Sequence, residues 1–270
     1  MSRLKISAIS YLNTAPLLWD FEHQDANASF ELSYTFPSAC AQALQNGTAD
    51  IGIIPVAAYA TVADLVVVPD VAIAARRAIR SILLVSQRPI ERARTVALDT
   101  SSLTSVALAK VIFAKWRGGA REYVGMAPDL DAMLARCDAA VLIGDPALQV
   151  DRTRYVTLDL AEEWVTRTGK SFVFAFWAIR RQALAGRDAA AIARAFQNSR
   201  DHGLEPKNLE AIVQEWSPRL SLPQSTIRAY LAENIHYYLD PPCLEGLELF
   251  YRYAAEIAAL PEAPRLRFLS

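Results

Sequence analysis

The residues best equipped for chemistry sit in short polar turns that follow apolar runs. The densest is Asp99-Thr-Ser-Ser-Leu-Thr-Ser105, where hydroxyls from Ser101, Ser102, Thr104 and Ser105 crowd the start of a helical pattern. Free N–H groups and the positive end of a helix make such a turn a site for a carboxylate. The same hydroxyls can instead serve only as an N-cap. Tyr11-Leu-Asn13-Thr14 before Pro16 forms a second strand-to-helix junction, in which Asn13 or Thr14 can hold a ligand or cap the helix. A third is Gly144-Asp145-Pro146, where Asp145 can orient a ligand hydroxyl or cap the next helix. Ser81, next to Arg80, opens an apolar strand, a place where serine is more often structural. Thr168-Gly-Lys-Ser-Phe-Val-Phe-Ala175 reads as a hinge strand or as a core strand after a turn.

Other chemistries lack their residues. No G-x-G-x-x-G occurs, and Gly169-Lys170-Ser171 is no phosphate loop because Trp164 occupies the position of its first glycine. Neither G-x-S-x-G nor H-E-x-x-H is present. His23, His202 and His236 fall in loops or on helix surfaces, outside the polar turns. No metal-ligand cluster is visible, so neither a metal nor a nicotinamide cofactor is expected. Lys plus Arg total 28 against 29 Asp plus Glu, a balance that disfavours nucleic acid as a partner. Cys40, Cys137 and Cys243 are widely spaced and odd in number, which fits free thiols in a reducing compartment. No uncharged apolar stretch is long enough to span a membrane. Ser7, Ser10 and Asn13 interrupt what an export signal would need as a continuous apolar region, so a cytoplasmic location is expected.

The elements that must carry these turns alternate between strand and helix. Strands are predicted from about residue 3 and over 30–36, 50–55, 72–77, 81–86, 95–98, 139–143 and 171–179, with 72–77 and 81–86 candidates to pair. Helices are predicted from Ser38 as N-cap to Gly47, over 104–116, and through most of the chain after Ala183; residues 261–270 read as a tail. The 270-residue length suits two domains. The pattern predicts an α/β fold with mostly parallel sheets, in two interleaved lobes joined by crossings near 87–89 and 169–174. Residues 1–88 and 175–270 would form lobe I and 89–174 lobe II. The polar turns then lie at the carboxyl ends of strands, where ligands bind in such folds.

Ile9-Ser-Tyr-Leu-Asn-Thr-Ala-Pro-Leu17, Leu98-Asp-Thr-Ser-Ser-Leu-Thr-Ser-Val-Ala-Leu108, Leu142-Ile-Gly-Asp145 and Thr168-Gly-Lys-Ser-Phe-Val-Phe-Ala-Phe-Trp177 occur in this order. Pro37-Ser38, the Gly47-x-x-Asp50 step and Ser81-Ile-Leu-Leu-Val85 accompany them. Together, over nearly the whole chain, they resemble the chorismate dehydratases of the futalosine route to menaquinone. The resemblance implies a two-lobed, periplasmic-binding-protein-like (type II) fold without export, with the ligand cleft between the lobes. It also implies conversion of chorismate to 3-[(1-carboxyvinyl)oxy]benzoate and water, without a cofactor. Carried onto this sequence, it places Asn13 and Ser81 in catalytic positions and Ser102, Thr104, Ser105, Gly144 and Asp145 against the substrate. Leu103 stands where the family pattern leads one to expect Arg, Arg77 where it has Gly, and Val56 where it has Ser after Pro55. Arg77 or Arg80 could then supply the missing charge. Because no histidine sits in a motif, the substrate's own enolpyruvyl carboxylate is the expected proton acceptor. Two other readings remain open. One is the sibling enzyme that forms a dihydroxynaphthoate from a cyclic futalosine derivative. The other is a non-catalytic domain that binds a small carboxylate. The sequence leaves the oligomeric state open.

Overall fold

A computed structural model describes residues 3–23, 29–263 and 265–270. Expectations that touch Met1, Ser2 and Pro264, at the N-terminus and within the tail, lie outside these residues. The strands are β1 (Leu4–Ile9), β2 (Phe30–Thr35), β3 (Ile51–Pro55), β4 (Leu65–Ala75), β5 (Ile82–Ser86), β6 (Thr95–Asp99), β7 (Glu122–Met126), β8 (Ala139–Ile143), β9 (Val156–Asp159) and β10 (Phe172–Arg180). They form two five-stranded sheets, ordered β2-β1-β3-β10-β4 and β7-β6-β8-β5-β9. The α/β class and the two lobes follow from this layout. The expectation of mostly parallel sheets is corrected. In the first sheet β10 runs antiparallel to both neighbours, and in the second β5 does the same. Each is the strand that enters or re-enters its sheet directly after a crossing.

The first crossing also moves. β4 and β5 lie in different sheets, so they do not pair, and the chain changes sheet at 76–81 rather than near 87–89. The boundary drawn after residue 88 therefore cuts off β5 from the sheet to which it belongs. The return runs through 169–171, after the Leu160–Thr168 helix ends on Gly169 at φ +69°.

Burial explains which segments became strands. All five residues of β3, β5 and β8 are buried, as is β10 up to Ile179. These are the continuous apolar runs of strands covered on both faces. β4 begins at Leu65, well before the predicted residue 72, because Pro69-Asp70 is a break the strand absorbs. Asp70 takes φ +63°, and Pro69 is tolerated on a strand at the sheet edge. The last residues are no free tail. Val67 N–H donates to Arg267 O at 2.7 Å and Leu269 N–H to Val67 O at 2.9 Å, so the C-terminus covers the β4 edge.

Helix starts are capped by local chemistry. Asp159 accepts from Ala161 and Glu162 N–H, and Asp129, Asp188 and Asp240 cap in the same way. Ser38 is not the N-cap of its helix. The helix spans Pro37–Asn46 with Pro37 in its first turn, and Ser38 N–H instead donates to Ser101 O at 3.1 Å. No helix among the described residues is long and apolar enough to cross a membrane.

Candidate active site

Three strand-to-helix turns meet where the two sheets face each other. β1 ends at Ile9 and leads into a 3-10 turn, Leu12–Thr14. β6 ends at Asp99 before the Leu103–Ile112 helix, and β8 ends at Ile143 before Gly144–Leu148. A cavity of about 50 Å³ lies between them, lined by Tyr11, Asn13 and Thr14 from the first turn, Ser102 and Ser105 from the second, and Gly144 from the third. Ile73, Ile82, Ile143 and Phe174 add apolar walls. None of the residues lining it carries a formal charge. An anion bound here meets hydroxyls, a carboxamide and backbone N–H groups.

Asn13 is 9% exposed, and its Oδ1 finds no partner among the described residues. A buried carbonyl oxygen without a donor is costly, by roughly 1–3 kcal/mol. The residue itself stands on the cavity wall, where a carboxamide is at hand for a ligand. Ser102 caps its helix: its Oγ accepts from Ser105 N–H at 3.3 Å and donates to Ser105 Oγ at 3.0 Å. Both serines still line the cavity. Gly144 has φ +64°, and a Cβ there would meet Tyr11 Cε2 at 2.7 Å. Only glycine lets the Tyr11 ring lie against this turn.

The other residues singled out from sequence do different work. Thr104 does not line the cavity. Its Oγ1 accepts from Ala57 N–H at 3.1 Å and donates to Phe174 O at 3.2 Å, tying the second sheet's helix to the first sheet. Ser81 is fully buried in the first crossing, behind the cavity wall, where its Oγ accepts from Tyr230 at 2.8 Å. Its carbonyl accepts from Gly144 N–H at 2.8 Å. Asp145 Oδ1 accepts from Leu12 N–H at 3.1 Å, a further link between the lobes. Burial pushes its carboxyl up to about 6, with Leu12 N–H and Arg219 opposing the rise. Thr104, Asp145 and the Ser38–Ser101 contact together hold the cleft closed.

Asp99 is the carboxylate of the second turn. It is fully buried; Oδ1 accepts from Ser101 N–H at 2.9 Å and Ser101 Oγ at 2.6 Å, while Oδ2 has no partner among the described residues. Burial raises its pKa. Neither arginine offered from sequence supplies charge here. Arg77 Nε donates to Glu233 O at 3.0 Å, and neither Arg77 nor Arg80 lines the cavity. Leu103 points away, 41% exposed. The histidines are occupied elsewhere: His23 against Trp19 O, His202 against Asp20, His236 against Asp240. The fold does assemble a potential ligand set that the sequence reading missed, His236, Asp240 and Cys243 within 4.8 Å. Its i, i+4, i+7 spacing was the available signal. Asp240 is already engaged there by Arg76, His236 and Cys243 N–H as the cap of the Pro241–Glu256 helix.

The sequence reading also missed Tyr230, a fully buried residue whose hydroxyl reaches Ser81. In sequence it is one more aromatic in a helical stretch.

Known proteins resemble this chain along nearly its whole length. The protein is 29% identical to the chorismate dehydratase of Thermus thermophilus, over 94% of each chain. Among solved structures it superposes on protein AF1704 of Archaeoglobus fulgidus with a TM-score of 0.76 at 17% identity, covering 96% of this chain and 98% of that one. The periplasmic aliphatic sulphonate-binding protein SsuA of Escherichia coli follows at 0.65 and 18% identity, covering 100% and 98%. At such identities these two structures establish the fold alone, a periplasmic-binding-protein-like α/β architecture. A family model described as menaquinone biosynthesis matches residues 4–256, and the chain belongs to that family.

Proposed function

We propose that the protein is a chorismate dehydratase, a cytoplasmic hydro-lyase that converts chorismate to 3-[(1-carboxyvinyl)oxy]benzoate and water on the futalosine route to menaquinone. The observation that carries this reading is the uncharged, hydroxyl-rich cavity with an unpaired Asn13 Oδ1, in a chain related along its length to a chorismate dehydratase.

Chorismate has two saturated ring carbons, one bearing the enolpyruvyl ether and its neighbour the hydroxyl. Loss of the hydrogen from the first and of hydroxide from the second makes the ring aromatic. The drive is thus within the substrate, and the protein must position it and exclude water. No side chain lining the cavity is a base at neutral pH. The enolpyruvyl carboxylate lies on the ether and can reach the ring C–H, so it accepts the proton. The C–O bond then breaks, and the hydroxide leaves as water with that proton. Ser102, Ser105 and nearby N–H groups hold the carboxylates, and Asn13 holds the ring hydroxyl.

A cavity of about 50 Å³ is far below the roughly 300 Å³ at the lower end of ligand pockets. Substrate entry therefore requires the lobes to part, and the bonds of Thr104 and Asp145 to re-form around it. A non-catalytic carboxylate binder is the second reading, favoured by the likeness to a sulphonate-binding protein. Incubating the purified protein with chorismate and following loss of one water by mass spectrometry separates the two. Binding without water loss would leave the second reading.

A further inference from the structure

One wall of the cavity has open space behind it. Ile73, Ile82, Ile143 and Phe174 sit on strands and are buried, so they have no room to retreat. Tyr11 is different: besides the cavity it borders a vestibule of about 330 Å³. Ile9 and Thr14 border both spaces too, but both are buried, and the Thr14 hydroxyl is tied to Ile9 O at 2.5 Å and Tyr11 O at 2.7 Å. Thr14 N–H also donates to Tyr11 O at 3.0 Å. These bonds pin the Tyr11 backbone and leave its half-buried side chain as the part of this wall that can turn. The ring is backed by Gly144 of the other lobe, so closely that a Cβ there would meet Cε2 at 2.7 Å. Parting the lobes breaks the neighbouring Leu12–Asp145 bond and takes that backing away.

The lining of the vestibule decides what it can hold. Its charged groups are engaged with neighbours: Arg219 donates to Glu215 Oε1 at 2.8 Å, and the Tyr34 hydroxyl donates to Glu22. Two carboxylates beside one guanidinium disfavour a further anion. Leu18 and the Trp216 ring supply apolar surface, with the Arg219 guanidinium over that ring, 4.0 Å from its centre. Such a lining suits a flat, uncharged group. The volume is at the lower end of that of ligand pockets.

We propose that Tyr11 is a specificity-determining residue. Its ring is the wall that confines the closed site to a single-ring carboxylate. Without the ring, cavity and vestibule join, and a carboxylate bearing an uncharged aromatic substituent extends into the vestibule. The inference rests on the reading of this cavity as a carboxylate site and deepens it by setting that site's size limit. Exclusion of larger ligands is then a steric clash rather than a lack of attraction.

The test is calorimetric binding of benzoate, 3-benzyloxybenzoate, 4-benzyloxybenzoate and 3-[(1-carboxyvinyl)oxy]benzoate, with chorismate turnover measured in parallel. Tyr11→Ala should bind at least one benzyloxybenzoate at least tenfold more tightly than the wild type does, because a benzyl ring is newly buried, while benzoate gains nothing. Tyr11→Phe keeps the ring and should match the wild type. Ser10 is exposed and lines the vestibule, so Ser10→Trp in the Tyr11→Ala background should fill that space and cancel the gain. Tyr11→Leu carries the test if Tyr11→Ala does not fold. Equal affinity of wild type and Tyr11→Ala for both benzyloxybenzoates, a gain shared by Tyr11→Phe, or a gain that survives Ser10→Trp would overturn the role. So would the absence of any benzoate binding, although chorismate turnover would then still uphold the reaction. A wild-type protein that shows the Tyr11 effect but releases no water from chorismate would refute the reaction and leave the size limit standing.

Discussion

Replacing Asp145 by Asn tests two parts of the account at once. Burial holds this carboxyl at about 6 in the folded protein, against an ordinary 3.8. Between those values the folded state binds more protons than the unfolded one. Stability therefore falls as pH rises through the window from about 4 to about 6, and the full cost of the buried charge is present above it. The difference of about two units corresponds to about 3 kcal/mol at 1.36 kcal/mol per unit. That figure already contains the opposing pull of Leu12 N–H and Arg219. Asn keeps an acceptor for Leu12 N–H but brings an NH2 group into a site built for a carboxyl, and leaving its donors unpaired takes back about 1–2 kcal/mol, for a net gain of about 1–2 kcal/mol at pH 7.5. For a chain of this size that raises Tm by about 2–6 °C, and the gain should vanish near pH 4. Thermal unfolding of both proteins at half-unit pH steps measures it. A variant that is less stable at pH 7.5, or whose difference does not depend on pH, would refute the argument from burial. The kinetic outcome is separate. Because the substrate supplies its own base, kcat in Asp145→Asn should stay within about tenfold of wild type, whereas loss of a general base costs about 10² to 10⁴. A thousandfold fall with affinity intact would make Asp145 the base.

Thr104→Val leaves Ala57 N–H and Phe174 O without their partner, so it should lower stability by about 2–3 kcal/mol, read from denaturant midpoints; an unchanged midpoint would contradict the tie between lobes. Ser105→Ala should raise KM for chorismate about tenfold with little change in melting, and a large stability loss with unchanged kinetics would reduce Ser105 to a helix cap. Gly144→Ala brings a Cβ against the Tyr11 ring at positive φ and should cost about 1–2 kcal/mol of stability as well as turnover; wild-type behaviour would mean that the turn yields freely.

Much of the site was legible because its turns are local. Gly144-Asp145 follows a continuous apolar strand, and Ser102 lies three residues before Ser105, so a cap and a junction can be read from spacing. What the hydroxyls touch is not local. Thr104 has the same side chain and setting as a ligand contact, yet its partners lie 47 and 70 residues away, and they turn it into a fastener. Ser81 is joined to Tyr230 across 149 residues, and a buried tyrosine in a helical stretch carries no sign of that bond. The two lobes and the return crossing were readable from alternating elements. The first crossing was not, because Ala72–Ala75 and Ile82–Ser86 are both apolar and separated like hairpin strands. Nothing in periodicity tells that they enter different sheets. The smaller second-lobe strands β7 and β9 escaped for the opposite reason, since as edge strands they are only partly buried and lack an apolar run.

The central claim is that this cleft removes water from chorismate using the substrate's own carboxylate. Purified wild-type protein, incubated with chorismate in chelator-treated buffer, should convert it stoichiometrically to 3-[(1-carboxyvinyl)oxy]benzoate, seen by mass spectrometry as loss of one water. Asn13→Ala should bind chorismate but form the product at least tenfold more slowly. Chorismate that stays intact with folded wild-type protein at saturating concentration would contradict the account.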